Sequence, residues 1–100
     1  MTISEIIQSK LQNSLNPLHI AVENESHFHH VPKGSETHFK IVLVSSRFEN
    51  LKLLARHRLV QEIISQEISQ IKACSLHTFT LEEWNARGGE RIQSPKCVGN

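Results

Sequence analysis

The chain contains no aspartate. A Ser-His-Asp constellation therefore cannot be assembled, and no Gly-x-Ser-x-Gly elbow presents a nucleophile. Glycine is scarce, and nowhere does it form a loop able to cradle a phosphate. Cysteine is scarcer: Cys74 falls in an expected strand and Cys97 in a polar tail. Two such distant thiols are not a disulfide framework, and they suit a reducing cytoplasm. No apolar run approaches about eighteen residues and no basic start precedes an apolar block, so neither a membrane span nor a secretory signal is expected. Nor is there an excess of one charge. Lys and Arg number 11 against 10 Glu, for a formal net charge of +1, whereas nucleic-acid binders often carry a larger basic surplus. Any DNA binding must rest on a local patch. The expectation is a protein that is not an enzyme.

What is present suits one globular domain. The chain has 100 residues, 38% of them apolar and 21% charged, enough for a modest core without a disulfide or metal. We expect a domain over residues 1–89 and a loose tail over 90–100. Histidine is the unusual component: there are seven, four of them between His27 and His38. Its side chain titrates near neutrality and is a common metal ligand.

The organising stretch runs from Ser35 to Val60. Phe39, Ile41 and Leu43 alternate with Lys40, Val42 and Val44, which predicts a strand with its far end covered on both faces. Asn50 is placed to cap a helical turn over Leu51 to Leu54. Leu59, Val60, Ile63, Ile64, Glu67 and Ile68 then recur at helical spacing, one of them polar, and predict a single long helix. Upstream, Thr2-Ile3-Ser4-Glu5 fits a capping box, followed by the stripe Ile3, Ile6, Ile7, Leu11 and Leu15. Asn16-Pro17 ends that helix. Leu18, Ile20 and Val22 mark a first strand. Asn24 to Thr37 is a long polar connection, and such connections tend to be functional or mobile. Ile71 to Phe79 predicts a third strand, with Cys74 as a small buried hydrophobe. Thr80-Leu81-Glu82-Glu83 repeats the capping box and opens a short helix, whose Trp84 is expected to anchor it to the sheet. Gly88-Gly89 ends it. The order α–β–β–α–β–α implies an antiparallel hairpin and a parallel crossover. The fold class is α+β, a three-stranded mixed sheet with helices on one face.

The stretches ESHFHHVPKGSETHFKIVLVSSRF from Glu25, LARHRLV from Leu54, CSLHTFTLEEW from Cys74 and SPKC from Ser94 resemble the BolA family over nearly the whole chain. The resemblance implies a type II KH-like (BolA-like) fold. No Gly-x-x-Gly loop lies between helices, so the RNA clamp of true KH domains is absent. It further implies an adaptor that partners a cytoplasmic monothiol glutaredoxin, sharing a [2Fe–2S] cluster with it, no cofactor being obligatory. The alternative is a DNA-binding transcription regulator tied to stress response and cell morphology. A monomer or weak homodimer with no membrane partner is expected.

By that resemblance the loop ligand, a His or Cys ahead of the Val-Pro-x-Gly-Ser run, falls on His29. The second ligand, a His at the start of the third strand, falls on Lys72. A protonated ammonium has no lone pair to give iron. His30 and His77 are the candidate substitutes. From spacing alone, the loop histidines read first as a hydrated polar loop, since His-x-His-His lacks the ligand count of a closed zinc site; the resemblance raises His29 alone to an even alternative. Arg47, Lys52, Arg56, His57 and Arg58 form a cationic helix start. It reads either as a ridge for phosphates or an acidic partner, or as a solvated face with His57 turned inward. Together with Lys72 these residues make the candidate binding set.

Overall fold

A computed structural model describes residues 1–28, 32 and 34–88. Thr2 starts the molecule as its spacing implies. Its hydroxyl accepts the Glu5 N–H at 3.1 Å, and the Glu5 carboxylate accepts the Thr2 N–H at 2.9 Å. Helix α1 runs from Ile3 to Leu15 and buries Ile7, Leu11 and Leu15. It stops at Asn16, whose left-handed conformation closes the helix ahead of Pro17. Strands β1 (His19–Asn24), β2 (His38–Val44) and β3 (Ala73–Phe79) form one sheet with β2 in the centre. β1 pairs antiparallel with β2, and β3 pairs parallel with it. The long connection expected between the first two strands contains a short 3-10 turn, Ser26–Phe28.

Ile41 and Leu43 face the main core with Ile20, Val22, Cys74 and Leu76 beside them. Against that face pack Ile7, Leu11 and Leu15 of α1, together with Phe48, Val60 and Ile64. Val60 belongs to helix α2, Leu53–Ile63. Val42 and Val44, pointing the other way, are also buried, as the covered-strand pattern predicts. Ser45 joins the layers: its hydroxyl donates to the Leu15 carbonyl at 2.8 Å at the end of α1.

Three details differ from the sequence reading. First, the long helix is two helices. α2 ends at Ile64, with φ −109° and ψ 30°, and α3 spans Ser65–Ile68. Ile64 itself is fully buried. Beyond the break, buried Glu67 meets Lys10 of α1 at 3.0 Å. The polar member of the apolar stripe is thus the acidic half of an ion pair. Second, Asn50 does not cap the helix. It adopts φ 67° in the turn before α2, a conformation that Asn tolerates better than most residues, and Lys52 occupies the N-cap without a side-chain bond. Third, helix α4 (Leu81–Ala86) lies on the opposite sheet face from α1 and α2. Trp84 stacks on His19 with ring centroids 5.1 Å apart and tilts against Phe79 at 5.4 Å. Both partners flank Val44 in register. Trp84 is an anchor, as expected, but on the other side.

One arginine holds α4, α2 and β3 together. Arg56 Nε donates to the Leu51 carbonyl at 2.9 Å, and Nη1 to the Thr78 carbonyl at 3.2 Å. Nη1 and Nη2 also grip the two carboxylate oxygens of Glu83 at 2.7 and 3.0 Å. Glu83 is at the same time the capping-box carboxylate of α4, accepting the Thr80 N–H at 2.9 Å. Arg56 is 9% exposed, while the Glu83 side chain is 46% exposed. The pair is therefore screened on its acidic side.

Arg56→Ala should cost about 3 kcal/mol, since it strands two backbone carbonyls and leaves a cavity. Glu83→Gln should cost less, about 1 kcal/mol. Urea midpoints at neutral pH check both. The Arg56 guanidinium first, and then the Thr80 N–H, pull the Glu83 carboxyl from 4.5 down to about 2. A depressed folded-state value stabilises the fold above the ordinary carboxylate range, and that stability is lost as pH falls. The gap between wild type and Glu83→Gln should therefore close between pH 4.5 and about 2; a constant gap would refute the linkage.

Candidate partner and nucleic-acid interface

The connection between β1 and β2 is tied at its base. Asn24 Oδ1 accepts the Ser26 N–H at 3.0 Å and the Ser26 hydroxyl at 2.6 Å. Ser26 Oγ in turn accepts the N–H groups of Thr37 and His38 at 2.8 and 3.1 Å. Opening and closing limbs are thus clamped across one buried hydroxyl. Pro32 and Ser35 form a turn, with both the Ser35 N–H and its hydroxyl on the Pro32 carbonyl. Gly34 sits there at φ 87°, a region that disfavours other residues. His29 and His30 lie outside the described residues, as do Cys97 and the expected tail.

Lys72 stands beside this base. Its N–H and that of Ala73 both donate to the Thr37 carbonyl, at 2.8 and 3.1 Å. The closing limb of the connection and the start of β3 are therefore neighbours. Lys72 is exposed and offers an ammonium where the resemblance puts an imidazole. His77 lies most of a strand length further on, roughly 16 Å at strand rise, so it does not stand in at the strand start. Burial first, and then the charges of Lys40, His57 and Arg87, hold its imidazole below the ordinary value, with Glu25 opposing. Among the described residues, no group of three or more His, Cys, Asp or Glu is placed to hold a metal ion. Burial pushes the Cys74 thiol up to about 11, so it is a packed, protonated side chain at neutral pH.

The cationic set divides. Arg56 is committed to the strut described above and does not join a surface ridge. The reason is positional: it opens the buried side of α2, facing Thr78 and Glu83. His57 is half buried, and its Nε2 has no hydrogen-bond partner among the described residues. Arg47, Lys52 and Arg58 are exposed. Arg47 reaches the Ser14 carbonyl at 3.4 Å. Lys52 and Arg58 line one shallow groove with Leu54, Ala55, Leu59 and Glu62. Leu53 and Leu54 stand beside them, 59% and 61% exposed. Because Lys52 provides no side-chain cap, the first N–H groups of α2 keep no cap from that residue, and a helix N-terminus favours anions.

Lys52 also lines a cleft with Thr78 and Phe79, at the finish of β3, whereas Lys72 precedes its start. The two are roughly 20 Å apart along the strand. The strand start and the helix start, grouped as one binding set in the sequence, lie at opposite ends of the sheet. Two acidic residues that matter structurally, Glu36 and Glu83, were not among the candidates. The capping-box spacing marks Glu83, but no local pattern reveals its partner across the fold.

Among the described residues, no helix is long and apolar enough to cross a membrane. A family model described as BolA-like protein matches residues 11–83. The Haemophilus influenzae protein named DNA-binding transcriptional regulator BolA is 43% identical over 100 residues, covering 99% of this chain and 97% of the relative. Its Escherichia coli K12 namesake is 42% identical, covering 99% and 95%. The solution structure of BolA1 from Mus musculus superposes with a TM-score of 0.83 at 39% identity, covering 99% of this chain and 80% of that one. The BolA domain of SufE1 from Arabidopsis thaliana gives 0.76 at 31%, covering 83% and 96%. With the α–β–β–α–β–α order and the three-stranded mixed sheet already established, these likenesses show that the chain belongs to the BolA family.

Proposed function

We propose that this chain is a cytoplasmic, non-enzymatic regulator of the BolA type that binds DNA through the exposed start of α2. The observation that carries this reading is the exposed pair Lys52 and Arg58, which line one groove at a helix start whose N-cap Lys52 makes no side-chain bond, with exposed Arg47 in the turn that follows β2. Cations and helix-terminal N–H groups are the usual partners of backbone phosphates. Near-full-length relatives bearing the name DNA-binding transcriptional regulator support it. A net charge of +1 fits a small phosphate footprint rather than a broad basic face. Lys52→Ala with Arg58→Ala should lower the slope of log affinity against log salt by about 2, one unit per lost phosphate contact. Both residues are exposed, so the unfolding free energy from urea titration should stay within about 0.5 kcal/mol of wild type. An unchanged slope would sink the assignment. Arg56 is unsuitable for this test because its loss damages the fold.

A second reading is an adaptor that docks a monothiol glutaredoxin at the other end of the sheet. The observation favouring it is that the β1–β2 connection and Lys72 lie together, far from the DNA-binding groove, so a protein and DNA need not compete. The BolA domain within SufE1 supports use of the fold as a module beside other protein parts. A shared [2Fe–2S] cluster would draw on His29, with Lys72 as the missing donor. Under iron–sulfur reconstitution with a monothiol glutaredoxin and glutathione, Lys72→His should increase the visible absorbance of the heterodimer over wild type. Equal spectra for the two would remove position 72 from any cluster.

A further inference from the structure

The first turn of a helix leaves N–H groups without partners inside the helix. In α1 the Glu5 N–H goes to Thr2 Oγ1, within the capping box. Two others are taken from elsewhere in the chain. The Ile3 N–H donates to Glu36 Oε1 at 3.0 Å and the Ser4 N–H to Glu36 Oε2 at 3.2 Å. One half-buried carboxylate thus uses both oxygens on the positive end of a 13-residue helix.

Glu36 belongs to the closing limb of the β1–β2 connection. Thr37, next to it, gives its N–H to Ser26 and its carbonyl to Lys72 and Ala73. The limb is therefore fixed from three directions: α1 through Glu36, the opening limb through Ser26, and β3 through Thr37. Carboxylate chemistry suits the first tie. Two acceptors meet two adjacent N–H groups, and the negative charge meets the helix dipole. An amide would offer one acceptor and no charge.

We infer that Glu36 is the positioning residue of the closing limb of the β1–β2 connection, holding Glu36 and Thr37 against the first turn of α1 and beside Lys72. The inference rests on the reading that this end of the sheet meets a protein partner, and it adds α1 to that unit. Pre-organising a connection in its bound form strengthens association by reducing the ordering needed on contact.

The test compares full-length Glu36→Ala, Glu36→Gln and Thr2→Ala. Thr2→Ala removes only the hydroxyl that accepts the Glu5 N–H and leaves the Ile3 and Ser4 N–H groups to Glu36. Amide hydrogen exchange is followed at Ser26, Thr37 and His38, and affinity is measured for apo monothiol glutaredoxin. Glu36→Ala should speed exchange at those three amides by about tenfold and weaken capture by a similar factor. Glu36→Gln should fall between it and wild type, and Thr2→Ala should leave the three amides unchanged. Equal acceleration in Thr2→Ala and Glu36→Ala, or none in Glu36→Ala, would overturn the assignment. If the wild-type protein does not capture glutaredoxin, the adaptor reading fails, and the exchange pattern alone decides the role of Glu36.

Discussion

A single guanidinium sets how the second half of this chain fits together. Arg56 points into the protein from the first turn of α2. There it joins the loop before that helix, the last residues of β3 and the cap of α4. Each of these partners is a backbone carbonyl or a carboxylate that would otherwise need water. The planar fork of arginine satisfies them simultaneously, which the point charge of lysine could not do. Because Glu83 serves both the guanidinium and the Thr80 N–H, the cap of α4 is tied to α2. The far side of the sheet is consequently closed by a helix whose placement depends on an arginine from the near side.

The fold was legible wherever periodicity carried the information. Alternation located β2, helical spacing and the Thr2 box located α1, and the long crossover fixed the parallel pairing of β3. Long-range polar contacts were not legible. Glu67 looked like a polar gap in an apolar stripe, and only the fold brings Lys10 to it. The Arg56-His57-Arg58 run looked like one cationic ridge, but successive helical residues point in different directions, and the middle and first members turn inward. Nothing local distinguishes Arg56 from Arg58. The difference lies in Glu83, many residues later. The face chosen by α4 was equally hidden, because a short helix with one tryptophan fits either side of a sheet.

Separation of the two candidate surfaces follows from topology. In a parallel pair, β2 and β3 both begin at one end of the sheet and both finish at the other. The connection entering β2 and the residue preceding β3 therefore meet at the beginning, while the turn leaving β2 and the helix it launches gather at the finish. Residues close in family motifs are sorted by strand direction into groups with different surroundings. The loop end is polar and tied by serine, asparagine and glutamate. The helix end combines cations with exposed leucines. Such unlike surfaces suit unlike companions.

The same crossover sets an unequal cost on the two ladders. β1 and β2 meet through one hairpin connection, whereas β3 reaches β2 only after α2 and α3 have crossed the sheet. Closing that larger loop costs more chain entropy, and sequence-distant pairing forms slowly. The β2–β3 ladder therefore carries the larger closure cost of the two. It also covers an edge of β2 rich in Ile, Val and Leu, of the kind that, left bare, invites strand addition from another chain.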